Sequence, residues 1–311
     1  MKYKPLGKTG LSVSVIGFGT SPLGNEFGPV DATGGQRAVH AAVEAGINYF
    51  DTSPYYGRTL AEQRLGEALD GNRQKVVLGT KCGRYDKNTF DFSAPRIRTS
   101  VDASLQRLRT DYLDILLAHD IEFGDREQII DETVPAMREL QKQGKVRHVG
   151  VSGLPLRMLA DVAEQAQVDV VLSYCHYNLM IRDLDRWLIP VAERLQIGLI
   201  NASPLHMGLL TEEGAPEWHP APHPVKEVST KVVELCKTYG AEPAIVALQF
   251  CLSHPSVSST LVGISNAGQV QQNLRALEAE PDPELLAKIE ALIAPVRDIT
   301  WASGRKENSD V

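Results

Sequence analysis

The sequence predicts a (β/α)8 barrel with an N-terminal β-hairpin and extra helices, and three observations carry that prediction. Short apolar runs rich in β-branched residues recur eight times, each followed by an amphipathic stretch. The runs are mostly apolar, as strands covered on both faces tend to be, which points to a parallel sheet beneath helices. Eight such units in 311 residues fit one closed barrel, so residues 1–311 are expected to form a single barrel domain. An open doubly wound sheet would need GxGxxG after an early strand. GFGTSPLG (17–24) has the glycines but not the spacing, and no helix opens directly at its end.

The elements follow in order. Residues Tyr3 to Ser14 read as a hairpin turning at Gly7–Gly10. The barrel strands are then VIGFG (15–19), NYFD (48–51), VVLGTK (76–81), YLDILLAH (112–119), VRHVGVS (146–152), VDVVLS (168–173), IGLINAS (197–203) and STLVGI (259–264). Between them lie helical patterns such as QRAVHAAVEAG, RIRTSVDASLQRL, VPAMRELQKQG, LRMLADVAEQA and AIVALQFCLSH. Two stretches break the alternation. Residues 204–224 form a long polar loop before a helix at about 225–239, and 282–311 read as a final helix and a tail.

Composition narrows the function classes. Hydrophobic residues make up 43% and charged residues 23% of the chain, ordinary values for a globular protein. A net charge of −7 argues against a nucleic-acid partner. No run approaches the ~18 apolar residues of a membrane span, and MKYKPLGKTG lacks a signal peptide's apolar core. Cys82, Cys175, Cys236 and Cys251 are widely spaced with no CxxC, and are expected to be buried reduced thiols. A cytoplasmic protein is the expectation; its oligomeric state is not readable.

In such a barrel, chemistry sits at the C-terminal ends of the strands. Asp51 ends the second strand, Lys81 the third and His119 the fourth, while NYFDTSPYYG (48–57) places Tyr55 and Tyr56 just beyond the second. Each residue alone has a plain reading: a turn cap, a solvated charge, a core histidine, a packed ring. Together they bring a carboxylate, an ammonium, a phenol and an imidazole to one rim. A free phenol titrates near 10, so about 0.1% is ionised at pH 7. An ammonium about 4 Å away favours the phenolate by up to ~4 kcal/mol, and Asp51 would keep that ammonium charged. A phenol partly ionised near neutral pH is therefore expected, with neutral His119 hydrogen-bonding the substrate oxygen. Such a group exchanges protons with a carbonyl or hydroxyl, as hydride transfer to or from a nicotinamide requires.

This constellation resembles the aldo-keto reductase superfamily, whose Asp-Tyr-Lys-His tetrad matches Asp51, Tyr56, Lys81 and His119. The family places its tyrosine five residues after the aspartate and before a glycine, which selects Tyr56 over Tyr55. The strings GTSPLGNEFGPV, FDTSPYYG, TKCGRY, FDFS, HDIEFG, GLPL, LSYCHYN, SPLHMGLLTEEGAPEWHPA and LVGISNAGQVQQN are similar to the L-galactose dehydrogenase branch over about residues 3–304. The resemblance implies NAD(P)-linked oxidation of an aldose at C1 to its lactone, L-galactose being the lead case. A broad NADPH-dependent aldehyde or ketone reductase and a nucleotide-binding regulatory subunit are the alternatives.

By the same resemblance, Ser152 and Gly153 meet the nicotinamide amide, with Gly153 standing where the family has asparagine. The family's glutamine falls near Ser173 or Tyr174, with Ser173 the cofactor candidate, and its stacking aromatic is replaced at Ala202. Ser203, Leu205 and Gly208 line the pyrophosphate passage. Gly263 and Gln269 stand where NADP-using relatives carry lysine and arginine, which favours NAD, because a 2′-phosphate calls for a basic partner. Ser265, Gln269 and Asn273 are the adenosine-side candidates. Tyr55, Asp120, Trp218 and Trp301 are the candidate sugar walls, since sugar recognition combines fixed polar groups with an aromatic face. His219 and His223 have metal-like spacing but sit in a proline-rich loop, and no metal is expected.

Overall fold

A computed structural model describes residues 1–311. Eight parallel strands close into a TIM barrel: β3 (Ile16–Gly19), β4 (Tyr49–Asp51), β5 (Val77–Cys82), β8 (Leu113–Ala118), β9 (Val146–Gly153), β10 (Val170–Tyr174), β11 (Gly198–Ala202) and β12 (Ser259–Gly263), with β12 pairing back onto β3. The hairpin β1 (Tyr3–Pro5) and β2 (Ser12–Ser14) lies outside this ring. All eight strand runs of the sequence are present, with ends shifted by two residues at most. A second hairpin, β6 (Arg84–Asp86) with β7 (Thr89–Phe90), was not foreseen, because five residues split by a turn carry no readable alternation. The helix expected from about 225 begins at His223, where Pro224 fits the first turn without needing its missing N–H.

Side chains alternate across each strand, so one residue inside the barrel fixes the rest of its strand. Tyr49, Val77, Ile115, Leu117, Val170, Leu172, Ile200 and Leu261 pack together inside, joined by Leu6 and Val13 from the hairpin. A larger apolar layer joins the outer strand faces to the surrounding helices. The N-terminal end is closed where Gly7, at φ +52°, brings the hairpin turn against the backbone of Gln196–Gly198. The other end stays open for polar side chains. The four cysteines are buried and unbridged, as expected. No helix is long and apolar enough to cross a membrane.

At the open end, the loop after β4 is held by close backbone contact. Gly57 sits at φ +62°, and a Cβ there would lie 2.3 Å from the Gly24 carbonyl oxygen. Gly71 has a similar φ of +73° but nothing within 4 Å. Both positions lose a few tenths to ~2 kcal/mol from backbone strain on gaining a Cβ, and only Gly57 also clashes. Gly57→Ala is therefore expected to cost ~2 kcal/mol more than Gly71→Ala, seen as a melting temperature several degrees lower in a paired thermal-unfolding experiment.

Candidate active site

Strand parity assembles the site. Asp51, Lys81 and His119 follow the interior residues Tyr49, Gly79 and Leu117 by two positions, so all three face the barrel lumen at its C-terminal end. Lys81 is buried and donates to Asp51 Oδ1 and, at 2.8 Å, to the Thr52 carbonyl. Tyr49 donates to the second oxygen of Asp51 at 3.4 Å. Lys81 Nζ lies 4.9 Å from the centre of the Tyr56 ring, and His119 meets that ring edge-on at 5.7 Å. The structure thus brings Asp51, Tyr56, Lys81 and His119 into one cluster.

The electrostatics correct one expectation. Burial pushes the Tyr56 phenol up to about 12; Lys81 pulls it down, but Asp51 and Asp120 push it up again. Because Lys81 is paired with Asp51, its charge reaches the phenol largely balanced. The resting phenol is therefore protonated rather than partly ionised. Burial lowers Lys81, but Asp51 and Tyr56 outweigh it and raise its pKa, so the ammonium persists. Burial, Lys81 and Arg84 hold His119 well below the usual histidine range, which makes its ring neutral. Its Nδ1 shares a 3.0 Å hydrogen bond with Ser53 Oγ, which also accepts from Tyr55 N at 3.1 Å. With Ser53 donating to Nδ1, the ring proton sits on Nε2, an atom that can donate to a substrate oxygen.

A second charge system flanks the first. Arg84 pairs with buried Asp120, and its guanidinium lies 3.8 Å over the Tyr55 ring. Tyr55 and Asp120, two of the candidate sugar walls, thus meet through Arg84. The other two have different neighbours. Trp218 is 55% exposed and faces Phe27 across a cleft of about 460 Å³ that Met207 and Gly208 also line. Trp301 packs at 5.7 Å against each of His206 and His219. His219 is buried on the His206 carbonyl, while His223 is exposed and stands 3.6 Å from Glu227.

Among the cofactor candidates, Ser152 lies on the lumen side at the end of β9, its Oγ donating to the Ala118 carbonyl at 3.3 Å. Ser173 does not share that side. Val170 and Leu172 point inward, so the next inward residue on β10 is Tyr174, paired in register with Ala202. The sequence left that register open; the barrel parity turns Tyr174, not Ser173, toward the lumen. Ser203 has φ +61° and precedes the turn at His206–Gly208 that carries Leu205 and Gly208. After β12, Asn266 caps the helix Ala267–Arg275, and the Gln269 side chain folds back to accept from Ser265 N at 2.8 Å. Asn273 is buried with its Nδ2 unpartnered. From Gly263 to Leu274 there is no lysine or arginine, and Arg275 is taken by Glu242. A capped helix start, small residues and a free amide fit the adenosine end of a nicotinamide dinucleotide.

Sequence reasoning missed Arg84 and Glu122. Arg84 hid in TKCGRY because its hairpin was unrecognised. Glu122 is fully buried and follows Asp120 by two residues. Its Oε1 accepts from Ser303 Oγ at 2.9 Å and Leu154 N at 3.3 Å, while Arg305 N and Asn308 Nδ2 bond its backbone carbonyl. The C-terminal tail is therefore fastened to the active-site rim. Gly153 leaves room for this carboxyl: a Cβ there would stand 2.5 Å from Glu122 Oε2.

A closed barrel whose C-terminal rim gathers a phenol, an ammonium, a carboxylate and a neutral imidazole defines an oxidoreductase built for proton exchange at a carbonyl or hydroxyl. The chain belongs to the aldo/keto reductase family, whose model matches residues 15–294. It is 48% identical over 318 aligned residues, 99% of each chain, to an L-galactose dehydrogenase of Arabidopsis thaliana. It is 27% identical to a D-threo-aldose 1-dehydrogenase of Pseudomonas sp, covering 92% of this chain and 96% of that one. An aldo-keto reductase from Bacillus halodurans, solved in its holo form, superposes with a TM-score of 0.82 at 30% identity over 98% of this chain and 100% of the other. The family uses NAD(P)H, and the chain is an NAD(P)-dependent oxidoreductase.

Burial and neighbouring Asp120 push Glu122 up to about 8. The folded state thus holds a proton that the unfolded chain releases near 4.5. Its contribution to stability is complete below the unfolded value and is lost as pH rises toward 8. Glu122→Gln keeps the shape without the proton. The melting temperature, followed between pH 5 and about 8.5, is expected to fall with pH more steeply in the wild type than in this variant.

Proposed function

We propose that the protein oxidises an aldose at C1 to its aldonolactone with NAD, L-galactose being the leading substrate. The observation that carries this reading is the 48% identity to an L-galactose dehydrogenase across 99% of both chains, with the tetrad assembled here. NAD, when bound, would supply the hydride acceptor for C1. Tyr56, once it has released its own proton to solvent, takes the proton of the C1 hydroxyl; Lys81 stabilises that phenolate by its charge, and His119 Nε2 orients the reacting oxygen. Asp51 keeps Lys81 charged and fixed. Tyr55, Arg84 and Asp120 supply a ring face, donors and an acceptor for the remaining hydroxyls.

A phenol near 12 works as an acid in reduction and must ionise to act as the base in oxidation. Oxidation is therefore expected to gain about tenfold per pH unit on the alkaline side until another step limits, while reduction stays flat. Tyr56→Phe should lower kcat by ~10²–10⁴-fold with an unchanged circular dichroism spectrum.

NAD rather than NADP is favoured by the stretch from Gly263 to Leu274, which offers no cation to a 2′-phosphate. A panel of aldoses, each with NAD and with NADP, tests both parts by kcat/KM. L-Galactose with NAD should lead, and sugars differing at C5 should trail by the ~5–150-fold that a single group is worth in a pocket. A simple aldehyde reduced with NADPH faster than any aldose is oxidised would replace this reading with that of a general reductase.

A further inference from the structure

We propose that a second binding site, for a small oxyanion of the phosphate class, lies behind the tyrosine loop between residues 54–59 and the helix Ala94–Arg107. A cavity of about 240 Å³ there is lined by three guanidinium groups, Arg58, Arg96 and Arg107, and by no carboxylate. Thr59, Thr99 and Ser100 add hydroxyls to its wall. On a chain of net charge −7, an all-cation cavity is not the by-product of a basic surface.

The three arginines are not equally engaged. Arg107 is committed to buried Glu62 through Nε at 2.6 Å and to Ser104 Oγ at 3.1 Å. Arg58 reaches Asp86 at 2.9 Å with one terminal nitrogen, while Glu26 is 3.9 Å from the other. Arg96 makes no ion pair and its guanidinium carbon lies over the Tyr85 ring, 4.1 Å from its centre. No carboxylate is paired with its charge, and its guanidinium N–H groups, bonded to no protein acceptor, can fork onto an oxyanion. The cavity is roomier than a bare ion requires, so inorganic phosphate and the phosphate group of a small sugar share the required chemistry.

The site uses the far side of the catalytic loop, through Pro54, Arg58 and Thr59, and is lined by none of Asp51, Tyr56, Lys81 and His119. Gly57, Arg58 and Thr59 take φ values of +62°, +50° and +80° directly after Tyr56. An anion bridging Arg58 to Arg96 would tie this strained turn to the neighbouring helix.

The test is isothermal titration of the protein saturated with its nicotinamide dinucleotide, so that contacts to the cofactor's own phosphates are already made. Inorganic phosphate and a hexose 6-phosphate are titrated separately at matched ionic strength, with chloride as the control. The proposal expects saturable binding of one anion per chain, weakened at least tenfold in Arg96→Gln, a variant whose aldose turnover stays within twofold of wild type. Tighter binding of the hexose phosphate assigns a phosphomonoester, and equal binding assigns the free ion. Heats no different from chloride, or equal affinity in Arg96→Gln, would overturn it.

Discussion

The site depends on the buried pair between Lys81 and Asp51. Removing two charges from water is costly, and the pair persists because each satisfies the other and the Thr52 carbonyl takes a further lysine proton. Breaking it from one side would strand the survivor in the barrel, at a cost of ~3–5 kcal/mol. The same pairing sets the chemistry. A lone ammonium would draw the Tyr56 phenol down, but one balanced by a carboxylate leaves burial in control, and the phenol stays protonated. What Lys81 supplies is stabilisation of the ionised phenol: in reduction it appears as the proton leaves, and in oxidation it raises the fraction of Tyr56 ready to accept one.

Around that pair the rim carries a second one, Arg84 with Asp120, set against Tyr55. In the proposed reaction the first would face the reacting oxygen and the second would read hydroxyls further along the sugar. Glu122 lies beyond them and binds the tail rather than the lumen. The C-terminal segment therefore has a structural task at the mouth of the barrel, although it lies past the last strand.

Much of this was legible because a barrel is periodic. Eight apolar runs, most followed by a helical pattern, announced the strands, and a polar residue ending such a run is conspicuous, so Asp51, Lys81 and His119 stood out. What stayed hidden lacked a period. The β6–β7 hairpin is too short for a pattern, and Arg84 went with it. The choice between Ser173 and Tyr174 turned on which face of a strand is inward, which closure of the ring decides. Trp218 and Trp301 were grouped with Tyr55 because aromatics suit sugars. Composition cannot say that one would sit with Phe27 and the other with His206. The direction of the Tyr56 shift was misjudged for a related reason: the sequence shows which charges are present but not how deeply they are buried.

Burial above a balanced ion pair holds the phenol of Tyr56 protonated. Carbon-13 labelling of the tyrosine Cζ positions, with Tyr56 assigned by its phenylalanine variant, measures this directly. The Tyr56 resonance should hold its protonated position through pH 10. A titration midpoint below pH 9 would contradict the claim and mean that Lys81 acts on the phenol as an unbalanced charge.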